Sequence, residues 1–218
     1  ASNAQLLPSY GEERAGLSAF TFLKLPIDPA STGVGGASLA MTEHSFGALI
    51  NPALISGGNQ QGVFSANRAL GGGINHDFVA LTKARKNGQH IALTLNSLST
   101  GSIIERTVWQ PEGTGATTSA TLASVGLGIS QAFSEYFHAG VQLKYGLEQL
   151  GVYRAHNVYL DLGFLYKLDI ADLQFAAALT NFGPNTPISN MPIGQESALA
   201  ASPQMFSMGI QWTAWEND

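Results

Sequence analysis

The chain reads as all-β, an antiparallel transmembrane β-barrel preceded by a short helical hatch. Three observations predict this. Apolar and polar residues alternate over many stretches, the period of a strand whose two faces meet different surroundings. The stretches are long, running for example through 136–149 and 152–168. Strands of soluble proteins cluster near 5–6 residues, and a tilted strand needs about 9–11 to cross a bilayer. Charged residues are only 11% of the 218, beside an ordinary 44% hydrophobic share. Soluble domains carry roughly 25% charge, so this deficit points to an exterior partly out of water.

Residues 1–59 lack the period-2 pattern and are rich in small residues and proline, which marks them as a hatch or plug segment. Within them, Ser38 to Leu49 is predicted to form a short helix. Asn51-Pro52 ends it, because the residue before proline avoids the helical region. Gly57-Gly58-Asn59 then marks a turn. Residues 60–218 read as barrel strands, about nine of them, near 61–69, 74–84, 89–98, 102–109, 118–133, 136–149, 152–168, 171–182 and 204–215. Asn87-Gly88 is the strongest hairpin signal, since a type I′ turn needs positive φ at both central positions.

In FHAGVQLKYGLE, residues 137–148, the odd positions are apolar and every charge sits at an even one. Residues 158–168 repeat the pattern. Val141, Leu143, Tyr145, Leu160, Leu162 and Phe164 are therefore the lipid-facing candidates. His138, Gln142, Lys144, Glu148, Asp161 and Lys167 are the lumen-facing polar candidates, their opposite charges able to pair between neighbouring strands. Tyr136, Phe137, Tyr153, Tyr159, Tyr166, Trp212 and Trp215 fall near strand ends, where an aromatic girdle belongs. On this reading an arginine at 143 impairs assembly, whereas one at 142 is tolerated far better. The same alternation also allows a soluble β-sandwich with an ordinary core.

Net charge is −5 with no basic patch, which argues against nucleic acid as a partner. There is no cysteine, hence no disulfide and no thiolate metal site. No apolar run reaches the length of a transmembrane helix. His44, His76, His90, His138 and His156 show no metal-ligand spacing, and no G-x-S-x-G elbow occurs. Thr32-Gly33-Val34-Gly35-Gly36 lacks the dinucleotide-binding pattern, and Glu105-Arg106 reads as a pair of rim charges. Neither an enzyme, a cofactor nor a metal is predicted.

The stretch ERAGLSAFTFLKLPIDPASTGVGGASLAMTEHSFGALINPALI resembles the opening of the PorV/PorQ family of outer-membrane proteins. The boxes that carry the resemblance are Arg14-Ala15-Gly16, Phe22-Leu23-Lys24, Gly35-Gly36-Ala37 and Asn51-Pro52-Ala53. It continues at Pro111-Glu112-Gly113-Thr114-Gly115, Leu143-Lys144-Tyr145, Asp161-Leu162-Gly163 and Asn181-Phe182-Gly183. Two positions depart from the pattern: the acidic pair before Asn51 is reduced to Glu43 followed by His44, and the aromatic expected at 50 is Ile50.

The resemblance implies a FadL-like barrel in the bacterial outer membrane, of which this chain would cover only part. It implies a non-enzymatic role in type IX secretion or surface attachment, exercised through protein partners within outer-membrane lipid. A FadL-like channel for a hydrophobic small-molecule ligand is the alternative. Asn51, Pro52 and Ala53 are expected to be a structural hatch turn that sets the chain up for the first strand.

Overall fold

The structure, a computed structural model, describes residues 18–41, 46–57, 61–170, 172–189 and 199–212. The fold is all-β and antiparallel. Its strands are β1 (Gly62–Gly71), β2 (Ile74–Ala84), β3 (Gln89–Ser99), β4 (Ile103–Ile104), β5 (Thr117–Thr118), β6 (Ala120–Ala132), β7 (Phe137–Leu150), β8 (Tyr153–Lys167), β9 (Gln174–Phe182), β10 (Thr186–Pro187), β11 (Leu199–Ala200) and β12 (Met205–Gln211). Eight of them form one sheet in the order β1-β2-β3-β6-β7-β8-β9-β12, and β4–β5 and β10–β11 form two small hairpins. Among the described residues the large sheet is accompanied by these two two-stranded sheets. Closure between β1 and β12 is not seen, and the large sheet ends at those strands.

Residues 18–57 supply three short helices, α1 (Pro29–Gly33), α2 (Gly47–Ile50) and α3 (Leu54–Gly57). Asp28 caps α1, its carboxylate accepting from Ser31 N–H at 2.6 Å, with Pro29 in the first turn where its missing N–H costs nothing. The helix expected over Ser38–Leu49 shrinks to α2, and 42–45 lie outside the described residues. α2 does stop where proline requires, with Asn51 extended at φ −151°. The strand expected over 102–109 reduces to β4, because Thr107 and Gln110 close a tight turn that ends the pairing. Asn87 (φ 59°) and Gly88 (φ 70°) form the left-handed turn between β2 and β3.

The inner face of the sheet is covered by residues 18–57. Phe20, Phe22 and Leu23 cluster with Leu98, Leu122 and Tyr159; Ile27 packs on Phe78 and Ala80; Ala53 and Leu54 pack on Leu165 and Ala176. Both sheet edges touch this one segment. Phe64 of β1 meets Phe46 with ring centroids 6.4 Å apart, while Leu39 lies against Gly209 of β12. Laid flat, eight strands at ~4.8 Å spacing would set their edges about 34 Å apart. Instead the two are joined by a short chain of contacts through Gly47, Leu54 and Leu39, so the sheet curls around the segment.

Among the described residues the outer face carries no covering layer. In-register pairing lines up Val63, Leu81, Leu93, Leu127, Leu143 and Leu160 as one row crossing β1 to β8. A second row runs Val79, Leu95, Val125, Tyr145 and Val158, and a third Ile91, Ile129, Val141, Leu162 and Leu179. A polar row of Asn75, Ser99, Thr121, Gln149 and Arg154 bounds them at one end. At that same end the chain makes its long excursions, between β3 and β6 and between β9 and β12, whereas the opposite end has only tight turns.

Candidate functional site: the interface of segment and sheet

The site is built around a glycine pair. Gly140 of β7 and Gly163 of β8 face each other across the ladder. Neither has a side chain, so the Asn51-Pro52-Ala53 turn lies directly on the sheet. A Cβ at Gly140 would stand 2.7 Å from Ala53 N, and one at Gly163 would fall on the Asn51 amide and 3.0 Å from Pro52 Cδ. Asn51 is wholly buried. Its Oδ1 accepts from Ala53 N–H at 3.0 Å, and its Nδ2 donates to the carbonyls of Leu39 at 3.3 Å and Phe164 at 3.2 Å. The turn leads into α3, and β1 follows. The turn also clasps the segment to the middle of the sheet, because one amide satisfies three backbone groups far apart in sequence.

The six inward polar candidates are distributed along this interface rather than around an open lumen. Lys144 Nζ pairs with Asp161 Oδ2 at 2.6 Å and also donates to Asn181 Oδ1, while Asp161 accepts from Asn181 N–H at 2.7 Å. Gln142 donates to Thr94 Oγ1 at 2.7 Å. Glu148 accepts from Phe20 N–H at 2.7 Å, and Lys167 donates to the Gly57 carbonyl at 2.8 Å. His138 Nδ1 lies 3.2 Å from Ser56 Oγ, which is 2.7 Å from Ser130 Oγ. Thus, among the described residues, Lys144 and Asp161 form the ion pair of this set; Glu148 and Lys167, expected to be part of a pairing set, bind backbone of the segment. Gln142 is 2% exposed, which overturns the expected tolerance of arginine there. The face is packed rather than hydrated.

The outward candidates Val141, Leu143, Tyr145, Leu160, Leu162 and Phe164 all lie on the uncovered face, with Leu143 54% exposed. Tyr136, Phe137, Tyr153, Tyr166 and Trp212 are exposed near strand ends, and Trp215 is outside the described residues. Tyr159 is a correction. It shares parity with Asp161, points inward, and is fully buried edge-on to Phe20, ring centroids 5.5 Å apart. His76 is buried with Nε2 2.8 Å from Asn96 Oδ1, and His156 is outward beside Tyr145. His44, Glu43, and Arg14-Ala15-Gly16 lie outside the described residues. Among the described residues no group of His, Asp and Glu gathers to hold a metal.

Sequence reasoning missed Phe20, Ser56, Ser130 and the two docking glycines. A signal for the glycines existed: glycine inside a strand marks a place where other backbone approaches closely.

The interface is tight beneath β6, β7 and β8 and open beside β9 and β12. There a cleft of about 480 Å³ runs between residues 23–40 and β12. Met205, Ser207 and Gly209 line its sheet side, Leu25, Ile27 and Leu39 its segment side, and Lys144 and Asn181 reach its floor. Among the described residues Ser56 and His138 pair side by side, but both are buried away from the cleft. The arrangement holds a segment rigidly against a sheet and leaves one flank accessible. No protein-family model matches the chain, and no curated protein matches it either.

Proposed function

We propose that the chain is a wall-and-plug unit of an outer-membrane β-barrel that serves type IX secretion or surface attachment without catalysis, through contacts with other proteins. The observation that carries the membrane half of this reading is the outer face: parallel rows of exposed aliphatic side chains without a covering layer. Along β7 the apolar stretch from Ala139 to Leu147 is about 27 Å long, or about 21 Å along the membrane normal at ~40° tilt, close to the ~25 Å apolar band of such barrels. A soluble protein does not leave so wide a face bare. The long connections would then face outward from the cell and the tight turns the periplasm.

The secretion half rests on the resemblance of the opening segment and its boxes, and on the density of the plug. A plug clasped by Asn51 over a glycine pair suits a scaffold better than a conduit. The β4–β5 excursion presents Val108 and Trp109 at its tip, each 92% exposed, a form of anchor that protein partners use. The cleft beside β12 favours the second reading, a channel for hydrophobic small molecules.

Purification from native membranes in mild detergent, followed by mass spectrometry, separates the two. Stoichiometric recovery with a large translocon barrel or a surface-anchored protein, lost on Trp109→Ser, supports the secretion role. A solitary protein carrying lipid or fatty acid supports the channel. Recovery in the soluble fraction without detergent overturns both.

A further inference from the structure

A second cavity, of about 260 Å³, lies apart from the cleft, at the end of the sheet where the long connections emerge. Its walls are apolar: Ala19, Leu150, Ala155, Ile188 and Leu199 contribute. Tyr153 and Leu199, 64% exposed in the latter case, stand at its rim and leave it open to solvent. β11 borders it through Leu199 and Ala200, and its partner strand β10 is tied to the sheet by Asn157, whose Nδ2 donates to Thr186 Oγ1 at 2.7 Å and to the Pro184 carbonyl at 2.8 Å.

Among the described residues one charged side chain faces this cavity from within, Glu148. Arg154 also borders it, but its register with Gln149 places its side chain on the outer face, opposite to Glu148. Among the described residues Glu148 accepts one hydrogen bond, from Phe20 N–H, and joins no ion pair. An ionised carboxylate offers about four acceptor sites, so most of its capacity is unused. A partly buried carboxylate at the edge of an apolar cavity selects a cation with an apolar body and rejects a carboxylate.

We propose that this cavity binds a small amphiphilic ammonium compound, its apolar part beside β11 and its ammonium group donating to Glu148. The proposal does not depend on the secretion reading. The volume suits a primary amine of about 9–12 heavy atoms rather than a lipid, which needs a far larger site.

The test is calorimetric titration of the full chain in detergent micelles, with empty micelles as reference. The probes are 2-phenylethylammonium, the anion of matching chain length phenylacetate, and neutral 2-phenylethanol. The ammonium is expected to bind saturably and at least about tenfold more tightly than the anion. Glu148→Gln retains an acceptor for Phe20 N–H and should abolish that preference while leaving the alcohol unaffected. Ala200→Phe, which fills the cavity and leaves Glu148 intact, should abolish binding of all three; it decides the matter should E148Q fail to fold. Absence of saturable binding, equal or tighter binding of the anion, or an unchanged preference in E148Q each overturns the proposal.

Discussion

The clasp at Asn51 makes a prediction that the geometry constrains on both sides. Gly163→Ala places a methyl group where the Asn51 amide now sits. Overpacking of a well-packed site costs typically 1–3 kcal/mol, and here the obstructing amide is itself held by three backbone partners, so about 3 kcal/mol is expected. Asn51→Ala leaves Ala53 N–H and two partly buried carbonyls without this partner, at about 1–3 kcal/mol for the group most poorly resolvated and about 3 kcal/mol in all. Independent effects would add to about 6 kcal/mol. They are not independent, because Asn51→Ala removes the very atoms that the added methyl group would strike. What remains is Pro52 Cδ at 3.0 Å, a contact that a shift of a few tenths of an ångström relieves. The double variant should therefore cost about 4 kcal/mol, a coupling of about 2 kcal/mol. Equilibrium urea unfolding in detergent micelles, followed by tryptophan fluorescence, measures all four corners of the cycle. Additivity within about 0.5 kcal/mol, or a neutral Gly163→Ala, would refute the docking argument.

Three further expectations concern the two faces and one end of the sheet. Leu143→Arg should cost about 2–4 kcal/mol in lipid vesicles and much less in detergent, whereas Gln142→Arg should cost on the order of 3 kcal/mol in both, because it must displace packed protein rather than lipid; refolding yields that respond to lipid equally at the two sites would contradict the assignment of faces. Lys144→Met strands Asp161, 1% exposed, without its cation and should lower stability by about 3–5 kcal/mol, with Lys144→Met/Asp161→Asn less damaging than the single change, as thermal unfolding would report. At the turn before β7, Tyr136 donates to the Asp169 carboxylate at 2.8 Å, a bond to the neutral phenol that, with the nearby negative charge, raises its pKa above the ordinary 10. Ultraviolet titration should show Asp169→Asn ionising one tyrosine at lower pH, a change absent in Tyr136→Phe.

The strands were legible because their two faces differ at every step. Alternation through 137–148 is a local signal, and it identifies both the faces and the residues on each. Tyr159 could have been placed by the same rule, since it shares parity with Asp161 and Gly163; its aromatic character suggested a girdle and parity pointed inward. The clasp and the plug contacts were not legible. Asn51 reaches Phe164, 113 positions away, and Phe20 reaches Glu148, 128 positions away, so no periodicity records them. Helices of 4–5 residues such as α1, α2 and α3 are shorter than two turns and cannot display a helical period. The long connection after β3 misled for a related reason. Ile103, Ile104 and Val108 look like strand residues, but they belong to an exposed hairpin whose apolar side chains have no core to enter.

The fold inverts the usual assignment of surroundings, and that bears on what the plug can do. Apolar rows lie on the uncovered face, and the polar face is dry. A dry polar face is costly unless each group finds a partner, and here many partners are backbone groups of residues 18–57: the N–H of Phe20 for Glu148 and the carbonyl of Gly57 for Lys167, with Ser56 Oγ beside His138. Wholesale departure of the segment would strand an acid, a lysine and a histidine at once on the inner face. It would also uncover Leu54, Ile55 and Phe20, which are buried against the sheet. The segment's burial and hydrogen bonds tie it to the sheet as part of one packed unit. On the channel reading, solute would pass by the flank beside β12, where Leu39 lies against Gly209 and the cleft exists. Enlarging Gly209 to Phe would narrow that flank by crowding Leu39, so a conducting protein should lose solute uptake while a scaffold should keep its partners.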